Sequence, residues 1–144
     1  MKELKPIGII HTPYKSDGEA PYQAYKSEEI GEIEVFKEYE EGLKDIDGFS
    51  HLIILYLFNK SKGYSLLVRP FLDENLHGLF ATRSPSRPNP IGLTIVELLE
   101  CNGNILRVRG VDMLDGTPLL DIKPYVPEFD RKIGVKIGWL EGKV

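Results

Sequence analysis

Apolar and polar positions alternate along much of this chain, and helical periodicity is scarce. Glu32-Ile33-Glu34-Val35-Phe36 sets apolar side chains two apart, the period of a half-buried strand, and Leu106-Arg107-Val108-Arg109 repeats it. Residues 7–10 form a short β-branched run. Residues 52–58 are continuously apolar, which predicts a strand buried on both faces. Residues 91–99 are long and β-branched for a strand, and Asn102-Gly103-Asn104 predicts the turn of a hairpin joining residues 91–101 to 105–111. Only two short helices are expected, near residues 37–44 and 136–140. Many strands with few helices predict a mainly β fold, a barrel or a tightly curled sheet.

Composition narrows the picture. The chain has 144 residues and 16.3 kDa, which suits one domain over 1–144. Its 42% hydrophobic and 28% charged residues are ordinary globular values, which excludes a disordered or fibrous chain. Cys101 is the only cysteine, so neither a disulfide framework nor a Cys-x-x-Cys metal site is available, and a reducing compartment is expected. The longest apolar run has seven residues, far short of a membrane-spanning helix. The first residues lack the apolar stretch of a signal peptide. A soluble cytoplasmic protein is the expectation.

The net charge of −4 argues against a broad basic surface coating nucleic acid, but it is an average of unlike parts. Residues 17–47 carry eleven acidic and three basic side chains, a balance of −8. Residues 60–90 carry five basic and two acidic ones, a balance of +3. Two differently solvated faces would explain the split; so would a basic stretch that meets a polyanion.

Two segments carry more than folding requires. In residues 78–92, Pro85, Pro88 and Pro90 fall within six residues, and each pushes its predecessor towards extended backbone. The resulting stiff loop presents Arg83, Arg87, two serines and Asn89, the ingredients of a preorganised site. In residues 112–125, Asp115-Gly116-Thr117-Pro118 is a turn signature, and Asp121 and Lys123 share one face of an extended stretch. Other chemistries recede. Neither G-x-G-x-x-G nor a P-loop occurs. His11, His51 and His77 are too scattered to suggest a metal site, and no metal is expected. Cys101 ends an apolar strand and reads as a buried, inert thiol.

Phe80-Ala81-Thr82-Arg83-Ser84, Arg87-Pro88-Asn89-Pro90-Ile91-Gly92, Asp115-Gly116-Thr117-Pro118 and Asp121-Ile122-Lys123-Pro124-Tyr125 together resemble the TrmO family. These are the TsaA-like, or YaeB-like, tRNA N6-methyltransferases. Pro6-Ile7-Gly8-Ile9-Ile10 with Thr12-Pro13-Tyr14, and Phe49-Ser50-His51-Leu52, extend the match to about residues 5–127. The resemblance implies a single-sheet β-barrel forming a homodimer; some relatives carry an extra C-terminal domain, and none is expected in these 144 residues. It implies S-adenosyl-L-methionine as methyl donor and tRNA as substrate, methylated on N6 of N6-threonylcarbamoyladenosine at position 37.

The resemblance also implies a cofactor pocket drawn from Pro21-Tyr22-Gln23, Asn59-Lys60, Arg83, Leu93 and Asp112-Met113-Leu114-Asp115. The chemistry suits such residues: Asp112 or Asp115 could bind the cofactor's ribose hydroxyls or amino group, and Arg83 could pair with its carboxylate. The acceptor nitrogen must lose a proton, and Asp121 and Tyr125 are the candidates to take it. Arg87, Asn89 and Lys123 are the candidate substrate contacts, the cations receiving phosphates and exposed aromatics stacking on bases. Two alternatives stand beside this reading: a non-catalytic cofactor- or RNA-binding module on the same barrel, and a metal-dependent hydrolase using the histidines and aspartates.

Overall fold

The computed structural model describes residues 1–15 and 27–144, and the chain forms two compact units. The first, residues 1–59 and 91–125, is a closed barrel of six antiparallel strands. They are β1 (Gly8–His11), β2 (Ile30–Val35), β3 (His51–Leu57), β6 (Ile91–Asn102), β7 (Ile105–Arg109) and β8 (Thr117–Pro124), in the order β1-β2-β7-β6-β3-β8. Closure leaves no sheet edge exposed. The second unit, residues 60–90 and 126–144, holds the two-residue strands β4 (Leu67–Val68) and β5 (His77–Gly78) and a four-residue helix, α1 (Pro127–Asp130).

Strand alternation builds the barrel core. Ile10, Ile33, Val35, Leu52, Ile54, Val96, Leu106, Val108 and Leu119 all point inward and are buried. Each such side chain stabilises the fold by roughly 1.5–3 kcal/mol. Residues 52–58 do not behave as a strand buried on both faces. Leu52, Ile54 and Tyr56 face the interior, while Ile53, Leu55 and Leu57 are half-buried on the outer wall. The run is continuous because the outer wall is apolar as well. The first expected helix is a 3-10 helix at Lys37–Leu43, its Leu43 joining the core; the second shortens to a 3-10 turn at Gly138–Leu140.

The hairpin forms as its sequence predicts, with Gly103 at a φ of 62°. Glycine tolerates this left-handed backbone without strain. Irregular register at Leu98/Glu100 in β6 and at Leu55/Tyr56 opposite β8 marks bulges that bend the strands into a barrel. The bulge in β8, together with Pro118 and Pro124, breaks the alternation by which this strand could have been recognised.

Gly92, the glycine of the Arg-Pro-Asn-Pro-Ile-Gly string, has a packing role. It pairs with Tyr56 across β3 and β6, and a Cβ placed there would collide with the Tyr56 ring and approach Phe58 Cζ to 2.9 Å. The missing side chain is the space in which Tyr56 lies. Gly92→Ala should therefore lower stability by about 1–3 kcal/mol, the usual cost of overpacking a filled core. Chemical denaturation checks it, and an unchanged midpoint would contradict this packing role.

Candidate cofactor and substrate site

The antiparallel register gathers much of the expected cofactor set at one mouth of the barrel. The C-terminal ends of β1, β3 and β7 lie there with the N-terminal ends of β2, β6 and β8. Asn59 follows β3, Leu93 is the third residue of β6, and residues 112–115 connect β7 to β8. Pro21, Tyr22 and Gln23 lie outside the described residues. Lys60 and Arg83 belong to the second unit, where both are exposed.

The 112–115 connection is tightly held. The Thr12 hydroxyl donates to the Met113 carbonyl at 2.8 Å, and the Thr117 hydroxyl donates to the Leu114 carbonyl at 2.6 Å. Leu114 to Thr117 form a turn closed by the Thr117 amide at 3.2 Å, with Gly116 at a φ of 85°. That is the type II requirement for glycine at the third position. Asp115 fastens the turn to β1. Its carboxylate accepts from the Thr12 amide at 2.9 Å and pairs with Lys15 Nζ at 2.8 Å. The Lys15 ammonium, then the Thr12 amide, hold this carboxyl below its usual range.

Asp112 departs from expectation. Its carboxylate has a partner within the chain, accepting from the Thr94 hydroxyl at 2.8 Å. The Thr94 and Tyr56 hydroxyls are 3.0 Å apart. Burial pushes the Asp112 carboxyl above its usual range, against the opposing pull of the Thr94 and Tyr56 hydroxyls. Thr94 and Tyr56 were not identified from sequence. The available signal was a hydroxyl at each of two inward positions, among Gly92, Thr94 and Val96 on β6 and Leu52, Ile54 and Tyr56 on β3. A buried polar group requires a partner.

The Met113 and Leu114 amides have no acceptor among the described residues, although Met113 is only 4% exposed. Such a buried donor on a fixed loop fits a ligand with acceptor atoms, as the adenine end of S-adenosyl-L-methionine has.

Asp121 and Lys123 do share the outer face of β8, paired at 3.0 Å. Asp121 also accepts from the Ile122 amide at 2.9 Å. Register sets Leu93, Leu55 and Asp121 in one row across β6, β3 and β8, and Ile95, Ile53 and Lys123 in the next. Tyr125 is at the other mouth, where its amide donates to the His51 carbonyl. Eight residues of mostly extended chain separate it from Thr117, a span of at most roughly 26 Å. Within one chain it is not brought to the expected cofactor residues.

In the second unit the proline-rich loop is braced by one of its own arginines. Arg87 Nη1 donates to the Thr82 and Ser84 carbonyls at 3.0 and 2.9 Å, and its guanidinium lies 5.9 Å from the Phe80 ring centre. Arg87 thus shapes the loop instead of simply projecting to a phosphate. The Trp139 indole donates to the Ala81 carbonyl at 2.7 Å and stacks on His77, which lies 2.7 Å from Asp73. Arg83 and Asn89 are exposed, with no side-chain hydrogen bond or ion pair among the described residues. No cluster of three metal-ligating side chains occurs among the described residues. Burial, with Asp47 and Glu40 nearby, pushes the Cys101 thiol up, away from a reactive thiolate.

Residues 9–131 match the family model of the tRNA-methyltransferase O N-terminal domain. The chain belongs to this family. It is 59% identical over 141 residues to a probable S-adenosyl-L-methionine-binding protein of Pyrococcus abyssi, covering 97% of this chain and 77% of that one. It is 41% identical over 136 residues to tRNA (adenine(37)-N6)-methyltransferase of Escherichia coli, covering 87% of this chain and 58% of that one. A crystal structure of TrmO superposes with a TM-score of 0.81 at 35% identity, covering 96% of this chain and 64% of that one. The expected mainly β barrel is thereby the fold of known TrmO structures.

The half-buried Asp112 carboxyl gives a signed pH effect. Asp112 keeps its proton to higher pH when folded than when unfolded, so between those two values the folded state binds more protons. Stability then falls as pH rises through that window, and the cost is complete above the folded value. Asp112→Asn removes this contribution. From pH 4 to pH 8 the wild type should lose stability relative to the variant in denaturant titrations; a constant difference would contradict the burial argument.

Proposed function

We propose that the chain is an S-adenosyl-L-methionine-dependent tRNA methyltransferase, a cytoplasmic homodimer acting on N6 of N6-threonylcarbamoyladenosine at position 37. Support comes from family membership and from relatives named as tRNA (adenine(37)-N6)-methyltransferases in Escherichia coli, mouse and human. The observation that carries it in this molecule is the fixed 112–115 connection with the orphaned Met113 amide at the barrel mouth.

When bound, the cofactor supplies an electrophilic methyl group on a sulfonium centre. The Met113 and Leu114 amides would hold its base, and Asp112 and Asp115 keep those amides in place from behind. Arg83 of the second unit, exposed and free of a carboxylate partner among the described residues, is the residue that the family resemblance assigns to its carboxylate end. Asp121 would receive the proton that the acceptor nitrogen loses, with Lys123 at 3.0 Å holding the carboxylate in position. Asn89 and Lys123 would contact the RNA.

The homodimer reading is supported by the outer wall of the barrel. Ile91, Leu93 and Ile95 are exposed, Leu93 by 50% and Ile95 by 44%, beside half-buried Ile53, Leu55 and Leu57. A contiguous apolar face of this kind marks an association surface. A second reading, cofactor binding without turnover, is favoured by the archaeal relatives, which are named only as binding proteins.

One assay separates the two readings. Purified protein, labelled cofactor and tRNA bearing threonylcarbamoyladenosine are incubated, and the tRNA is digested to nucleosides. The methylated nucleoside is expected from the wild type, while Arg83→Ala should weaken cofactor binding about ten- to a hundredfold in calorimetry. Cofactor binding with no methylated nucleoside would favour the binding module; absence of both would contradict the proposal.

A further inference from the structure

The second unit holds a site that neither the motifs nor the family comparison assigns. Its charge is distinctive: nine basic and five acidic side chains give it a balance of +4, while the barrel unit carries −8. The positive surplus of an acidic protein is thus concentrated in 50 of its residues. Within that unit, an open cleft of about 630 Å³ is lined by Lys62, Tyr64, Ser65, Arg69, Ser84 and Ser86, among others.

The groups in this cleft are set up for an anion. Arg69 Nε donates to the Glu74 carbonyl at 2.6 Å, which fixes the guanidinium and leaves its terminal nitrogens available. Neither Lys62 nor Arg69 has a carboxylate within 4.0 Å among the described residues. The nearby Asp73 is already committed to His77 and to the Glu74 amide. Ser65 and Ser86 have hydroxyls without a partner among the described residues, and Pro85 stiffens the backbone between Ser84 and Ser86. Tyr64 stands 54% exposed on the same wall, an unpaired π face.

A fixed guanidinium, a mobile ammonium and hydroxyl donors suit a phosphodiester, and an exposed ring beside them suits a neighbouring base. We propose that this cleft seats a backbone phosphate of the tRNA substrate, neutralised by Lys62 and Arg69, with Tyr64 stacking on the adjoining base. The inference rests on the tRNA reading above and adds where the barrel's acidic chain keeps its RNA-binding charge. It gives the strongly basic loop a role separate from that of Arg83.

The test is the salt dependence of tRNA binding by fluorescence anisotropy, with cofactor affinity measured on the same preparations. Lys62→Ala/Arg69→Ala should weaken tRNA binding tenfold or more. Its plot of log affinity against log salt should be shallower by about 1 for each lost phosphate contact. Cofactor affinity should be unchanged. Tyr64→Ala should weaken binding with the slope unchanged. Lys37→Ala/Lys44→Ala removes equal charge from the exposed surface of the barrel unit and should leave both quantities as they were. Lys62→Glu alters only an exposed side chain, so its effect is read without concern for folding. Wild-type affinity and slope in these cleft variants would overturn the proposal, as would loss of cofactor affinity, which would assign the cleft to the cofactor. Wild type that binds cofactor but no tRNA would defeat the tRNA reading itself, and this inference with it.

Discussion

A half-buried carboxylate held by a hydroxyl relay ties together the parts of this molecule that matter for function. Thr94 donates to Asp112, and Tyr56 reaches Thr94 only because Gly92 offers its ring no side chain to meet. The relay crosses from the β7–β8 connection through β6 to β3. An isolated carboxylate in such surroundings would cost several kcal/mol. Two hydroxyls and partial access at the mouth offset that cost, and the relay anchors the connection to β6.

The relay also joins the two segments that sequence inspection singled out. Gly92 closes the Arg-Pro-Asn-Pro-Ile-Gly string, and Asp112 stands three residues before the Asp-Gly-Thr-Pro turn. Read separately, each resembled a ligand site. In the structure their contact is internal: glycine makes room, the carboxylate meets Thr94, and the Met113 and Leu114 amides are left without an acceptor among the described residues. Preorganisation of that sort is what a methyl-transfer site needs, since holding donor and acceptor in near-attack geometry is most of the work.

Much of the barrel was legible because its strands obey the period of two. Residues 32–36, 106–109 and the 102–104 turn state their conformations locally. β8 was not recognisable as a full strand, because two prolines and a bulge interrupt its alternation; β4 and β5 are too short to carry a period at all. The candidate site was legible as residue identities but not as orientations. Whether the Asp112 carboxylate finds a hydroxyl relay depends on the pairing of Tyr56 with Gly92, a register between distant strands. Arg87 likewise looked like a projecting cation until the carbonyls of Thr82 and Ser84 were seen to claim it. Tyr125 is adjacent in sequence to Asp121 and Lys123 but lies towards the far mouth, because extended chain separates residues quickly.

The central claim is that the relay-held connection presents its free amides to the methyl donor. Amide NMR during titration with S-adenosyl-L-methionine reads those donors individually. Met113 and Leu114 should show the largest saturable shifts among the barrel amides, with Gly110 and Gly116, already bonded to backbone carbonyls, moving less. Saturable binding that leaves Met113 and Leu114 unshifted would contradict it.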